Sequence, residues 1–215
     1  MNPDTVRLIL VRHGQVEANR SYRYLGRRDD PLDATGREQA RAVAGAMRQL
    51  PVDLVLTSPS SRARATAAGL ARPGLAVRDE ARLRELDFGS WEGLSRAEVL
   101  ARSGDDAALL EAWESDPSVA PPGGESLQSL RARVVELADE LARTAAPATV
   151  VLVSHMGPIK VLLCAALDLP LRRTARIFLD PATISVVDWG PRPVVRLVNS
   201  HAHLGFDRAR WLEES

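Results

Sequence analysis

Residues 6–19 read VRLILVRHGQVEAN, from Val6 to Asn19. The run from Val6 to Val11 is largely apolar and rich in β-branched and aliphatic side chains, which suits a buried strand of a mostly parallel sheet. It breaks into Arg12-His13-Gly14. Open α/β sheets bind ligands at the carboxyl ends of their strands, and a cation, an imidazole and a glycine stand there together. Gly14 lets the backbone approach a bound group. His13 offers a nucleophile or a proton carrier, and Arg12 a fork of donors matched to phosphate or carboxylate. The competing reading is a strand end with a solvated Arg–His pair.

The same logic recurs downstream. Ser21–Asp33 is a polar, arginine-rich loop punctuated by Gly26 and Pro31, in which Asp29-Asp30 shapes the chain. Thr35-Gly-Arg-Glu38 has the form of a capping box and predicts a helix over 36–49. Asp53–Thr57 is a second buried strand, and Ser58-Pro-Ser-Ser61 caps a helix to about Ala71 with Arg62 in its first turn, where free N–H groups favour anions. A third strand, Thr149–Ser154, leads through His155-Met-Gly157 into a helix over 158–167, with Pro158 in its first turn.

Between these junctions the pattern predicts a short edge strand over 75–77, an irregular stretch over 82–93 (RLRELDFGSWEG) and a helix over 95–102. Residues 103–124, rich in Gly and Pro with a short helical piece around 107–114, form the expected lid-like insertion in a single domain spanning 1–215. Ser126 caps a long amphipathic helix to about Arg143, with Leu127, Leu130, Val134, Leu137 and Leu141 on one stripe. Strands are expected over 183–189 and 194–198, and His201 and His203 read as surface or edge residues of a polar tail.

Three strands thus end in charged or imidazole groups and lead into helices. In a parallel sheet with right-handed crossovers all three ends share one edge. Arg12, His13, Arg62 and His155 are expected to converge there, with Glu85 arriving on the irregular loop. Two arginines and two histidines around one point call for a dianionic ligand, and phosphate is the obvious one. Trp91 and Phe88 are expected to pack and fix the Glu85 loop. Glu92, Asp87 and Glu17 compete with Glu85 as acids.

The chain has 215 residues, 45% of them hydrophobic, which suits one compact unit with a substantial core. Its formal net charge is zero, which argues against a nucleic-acid or membrane partner. The lone cysteine, Cys164, excludes an internal disulfide and reads as a core residue. With no secretory leader and no apolar run of membrane-spanning length in view, a soluble cytoplasmic protein is expected. Lys160 is the one lysine in an arginine-rich chain.

LVRHGQVEAN, together with YLGRRDDPLDATGREQA, SPSSRARATA, RELDFGSWEG, PPGGES and VSHMGPIK in this order, resembles the signature of the histidine phosphatase superfamily, the phosphoglycerate-mutase-like proteins. The likeness covers residues from about 6 to 160 and extends to α-ribazole and broad-specificity phosphatases. It implies a three-layer αβα sandwich and a phosphohistidine intermediate. Carried over residue by residue, His13 is the nucleophile, Arg12 and Arg62 hold the phosphoryl oxygens, and His155 and Asn19 bind the same group. Glu85 protonates the leaving oxygen and later activates water. Arg23, Arg27 and Met156 are candidate substrate contacts. Gln15, Val16 and Met156 depart from the common glutamate, threonine and glycine of the family, and are expected to tune the site.

The implied activity is metal-independent phosphomonoester hydrolysis, with no cofactor. The expected partner is a small phosphorylated metabolite, and a homodimer is compatible with this reading. The alternatives are a cofactor-dependent phosphoglycerate mutase, disfavoured by the short segment between Glu92 and Glu125, and a non-catalytic phospho-ligand module.

Overall fold

The computed structural model describes residues 4–102, 104–146 and 148–209. Residue 103 of the expected lid-like segment and both ends of the expected 1–215 domain lie outside them. Six strands form one sheet: β1 (Val6–Arg12), β2 (Leu54–Thr57), β3 (Val77–Asp79), β4 (Thr149–Ser154), β5 (Ile184–Trp189) and β6 (Val194–Ser200). Their spatial order is β3-β2-β4-β1-β5-β6. The first four run parallel, whereas β5 lies antiparallel to β1 and β6 antiparallel to β5.

Alternation along β1 separates the two faces. Leu8 and Leu10 join Leu152, Leu130, Val134 and Leu162 in one core. Ile9 and Val11 join Val153, Val43, Met47 and Ala63 in the other. The first core is closed by α6 (Leu127–Ala145) and α7 (Met156–Ala166), the second by α2 (Ala34–Met47) and α3 (Ser61–Ala67). The result is the expected three-layer αβα sandwich. It places the ends of β1, β2 and β4 side by side, because β4 pairs in parallel with β1 from Thr149 to Ser154 and with β2 from Val150 to Val153.

Several boundaries shift, each for a local reason. Helix α2 begins two residues early because Asp33, and not Thr35, caps it: its Oδ1 accepts the Gly36 N–H at 2.7 Å. The expected edge strand at 75–77 lies at Val77–Asp79, since Leu75 closes a tight turn with Arg72 and buries its side chain. Ser95 caps α4 (Arg96–Leu100) with Glu98 in a capping box. Within the expected lid, α5 (Gly104–Ser115) is longer than the short helical piece anticipated. Helix α1 (Glu17–Arg20) follows directly on the RHG turn. Cys164 is buried, as expected of a core residue. Among the described residues no helix is long and apolar enough to cross a membrane.

Candidate active site

His13 follows the last residue of β1, and its N–H donates to Ser154 O of β4 at 2.9 Å. The following turn is pressed against the start of α2. A Cβ on Gly14 would stand 2.5 Å from Gly36 O, a backbone atom that cannot swing away, so only glycine fits. In this turn His13 Nδ1 lies 2.7 Å from Gly14 O. A carbonyl can only accept, so Nδ1 carries the proton and Nε2 keeps its lone pair. The imidazole is almost fully buried, and burial, reinforced by Arg62 and Arg12, pushes its pKa well below 6.5. The side chain is therefore a neutral imidazole.

His155 stands at the residue before α7, without a capping hydrogen bond from its side chain, and packs edge-on against His13, with ring centroids 5.0 Å apart. Its Nε2 meets Ser58 Oγ at 2.8 Å, and its buried Nδ1 has no hydrogen-bond partner among the described residues. Burial, then His13 and Arg62, holds its pKa well below the usual imidazole value. Arg62 is wholly buried in α3. Two of its nitrogens donate to Gly26 O at 2.8 Å and Arg28 O at 2.7 Å, leaving Nε unpartnered among the described residues. The Arg62 fork thus braces the 26–28 loop as well as charging the site. Arg12 donates to Leu179 O at 2.5 Å.

Glu85 is buried, and its Oε1 accepts the Leu86 N–H at 2.8 Å. Both its oxygens lie 3.1 Å from the Gly157 nitrogen. Burial raises its pKa, against the pull of these N–H groups and of Arg62 and Arg12. A carboxyl so placed can give up a proton and take one back. The backbone carbonyls of Arg82, Arg84 and Glu85 are gripped by Arg133, which Glu125 holds in turn at 2.8 Å through both oxygens.

A cleft of about 270 Å³ opens over Arg12, His13 and Glu85, and is also lined by Asn19, Arg23 and Met156. Asn19 spends its Oδ1 on the Val16 N–H at 3.2 Å, and Arg23 is bound to Glu98 at 2.6 Å. Arg27 lies outside this lining and sits 3.5 Å from Asp87 and 3.8 Å from Glu125. The competing acids are committed elsewhere. Glu92 accepts N–H bonds from Gly26, Arg27 and Arg28, Asp87 accepts one from Gly89, and Glu17 is exposed. Asp29 does shape the loop, accepting the Ser61 N–H at the head of α3 at 2.7 Å. Trp91 is fully buried, while Phe88 also lines the cleft.

Sequence reasoning missed Ser58, Trp113 and Arg133, which show as small, apolar or helical surface residues until the fold assembles them. It also misplaced the tail. His201 is buried and pairs with the buried Asp180 at 2.7 Å, and His203 meets Ala182 O at 2.9 Å. The reason is that β6 returns the chain across the sheet edge and folds the tail inward beside the site.

Residues 8–200 match the Histidine phosphatase superfamily (branch 1). The bifunctional protein Rv2228c of Mycobacterium tuberculosis is 40% identical over 202 residues, which are 92% of this chain and 55% of that protein. The chain therefore spans about half the length of this relative. Phosphoserine phosphatase 1 of Hydrogenobacter thermophilus is 34% identical over 203 residues, 93% of this chain and 95% of that one. The crystal structure of the α-ribazole phosphatase from Shigella flexneri superposes with a TM-score of 0.80 at 30% identity, over 91% of this chain and 97% of the other. With the family match running through nearly the whole described sheet, the chain belongs to branch 1 of the histidine phosphatase superfamily.

Proposed function

We propose that this chain hydrolyses small phosphomonoesters through a phosphohistidine on His13, without a metal ion. Nε2 of His13 attacks phosphorus and the P–O bond to the leaving group breaks. Glu85 gives its proton to the departing oxygen. The resulting carboxylate then takes a proton from water as that water attacks phosphorus, the P–N bond breaks, and inorganic phosphate and neutral His13 are restored. Arg12, the Nε of Arg62 and the Nδ1 of His155 face the charge of the transferring group, which is mainly a matter of positioning and electrostatics. The observation that carries this reading is the Nδ1–H of His13 held on Gly14 O, because it fixes the tautomer that leaves Nε2 nucleophilic.

Hydrolysis is favoured over mutation of phosphoglycerate by the relatives, whose names denote phosphatases. Metal independence is supported by the side chains present: among the described residues no three His, Cys, Asp or Glu gather to hold an ion. The test is acid-quenched labelling with a phosphomonoester. Wild type should carry acid-labile phosphate on His13, and His13→Ala should carry none and lose turnover. Full activity in His13→Ala would refute the covalent route.

A further inference from the structure

A second space, of about 410 Å³, adjoins the cleft at Glu85. Glu85, Phe88, Trp113 and Met156 line both. Glu85 lines both spaces, so a leaving group that it protonates has this chamber open to it, and the chamber wall can then read its chemistry. Part of its wall is apolar, from Leu86, Phe88, Trp113 and Leu127. The same space is also lined by two cations, Lys160 and Arg172.

Lys160 stands three residues after Gly157 on α7, so both occupy the helix face turned to Glu85. It is partly buried, and its pKa is pulled to about 8 by burial and then by Arg12, against the opposite pull of Glu85. It is still mainly cationic at neutral pH. Among the described residues neither Lys160 nor Arg172 makes a hydrogen bond or an ion pair with a carboxylate. The other acid on the chamber wall, Glu114, is taken by Arg96 at 2.6 and 2.8 Å. The one carboxyl that acts on Lys160 electrostatically is Glu85, which is neutral when it holds the proton for the leaving group, so a partly buried cation is left there that a ligand carboxylate would stabilise. Lys160 is also the one lysine of the chain, where arginine serves every other cationic position.

Resting on the hydrolase reading, we infer that the chamber selects phosphomonoesters whose leaving group has an apolar stem ending in a carboxylate, and that Lys160, assisted by Arg172, binds that carboxylate. The stem lies along Phe88 and Trp113, and the acid group completes the pair that Lys160 lacks. Lys160 thereby sets specificity without entering the phosphoryl transfer itself.

The test compares 4-carboxybenzyl phosphate with 4-carbamoylbenzyl phosphate, which differ in charge and hardly in shape, with p-nitrophenyl phosphate as a check on phosphatase activity. Wild type should prefer the carboxylate ester by roughly tenfold or more in kcat/KM, as a charge-assisted pair would give. Lys160→Met should bring that ratio close to one, with the loss falling on the carboxylate ester. Lys160→Arg, which keeps the charge, should retain most of the preference. A wild-type ratio near one, with p-nitrophenyl phosphate still hydrolysed, would overturn the inference and leave the hydrolase reading standing. Equal losses on both benzyl esters in Lys160→Met would also overturn it, placing Lys160 in support of Glu85. No turnover of any of the three esters would overturn the hydrolase reading, and this inference with it.

Discussion

The Glu85 carboxylate is seated on the backbone of Gly157, with the nitrogen 3.1 Å from each oxygen, and a Cβ added at Gly157 would stand 2.2 Å from Oε1. Gly157→Ala should therefore push Glu85 off its seat without removing it. An alkyl oxygen needs a proton as it leaves, and a general acid contributes roughly 10²–10⁴-fold. A p-nitrophenolate needs little help. Gly157→Ala and Glu85→Gln should both slow phosphoenzyme formation from an alkyl phosphate far more than from p-nitrophenyl phosphate, read in single turnovers. Equal slowing with both esters would mean that Glu85 only positions the loop.

The pH profile should follow the two groups in opposite senses. His13 must be neutral to attack, so activity is lost as pH falls through its lowered pKa. Glu85 must be protonated to act as an acid, so activity is lost as pH rises through its raised one. Arg62 lowers both pKa values. Arg62→Gln should then move both limbs of kcat/KM to higher pH, whereas Arg62→Lys, which keeps the charge, should move them much less. The substrate titrates identically with either enzyme and drops out of the comparison. Limbs that stay in place in Arg62→Gln, or that move to lower pH, would contradict this assignment.

Much of this arrangement is legible in the chain because local rules coincide at three places. The apolar runs of β1, β2 and β4 each meet a turn and a helix start, and sheet topology then puts Arg12, His13, Arg62 and His155 on one edge. What was not legible depends on which backbone happens to be near. The Arg62 fork is taken up by carbonyls 34 and 36 positions earlier in the chain. Asn19 and Arg23 line the cleft, but the Oδ1 of Asn19 is engaged three residues back by Val16, and Arg23 by Glu98, 75 positions on. His201 sits in a polar tail with no periodicity, and its partner lies 21 positions earlier. Side-chain type carries no record of such pairings until the register of β5 and β6 is set.

The anion site should work without a metal. Its positive field comes from Arg12 and Arg62, with unspent N–H capacity on buried Arg62 Nε. Chelators should leave turnover unchanged, while vanadate and inorganic phosphate should inhibit competitively. Loss of activity in EDTA that a divalent cation restores would refute metal independence.

The His201–Asp180 pair should matter through the loop it anchors. Both side chains are nearly inaccessible, at 4% and 3%. Within three residues of Asp180 the loop offers Leu179 O to the Arg12 guanidinium, the Ala182 N–H to His13 O and Thr183 O to the Arg12 N–H. Ala182 holds a φ of +59°, a conformation costly for a residue with a Cβ and kept by its surroundings. Removing one partner of a buried pair typically costs about 3–5 kcal/mol, because the other charge is left uncompensated. His201→Phe should lower unfolding free energy by that order in urea titrations and weaken competitive inhibition by inorganic phosphate, since Arg12 loses its brace. His201→Phe combined with Asp180→Asn removes the stranded charge, so the double variant should be more stable than the sum of the single losses predicts. Strict additivity, or a loss under about 1 kcal/mol in His201→Phe, would show that the pair does not hold this loop.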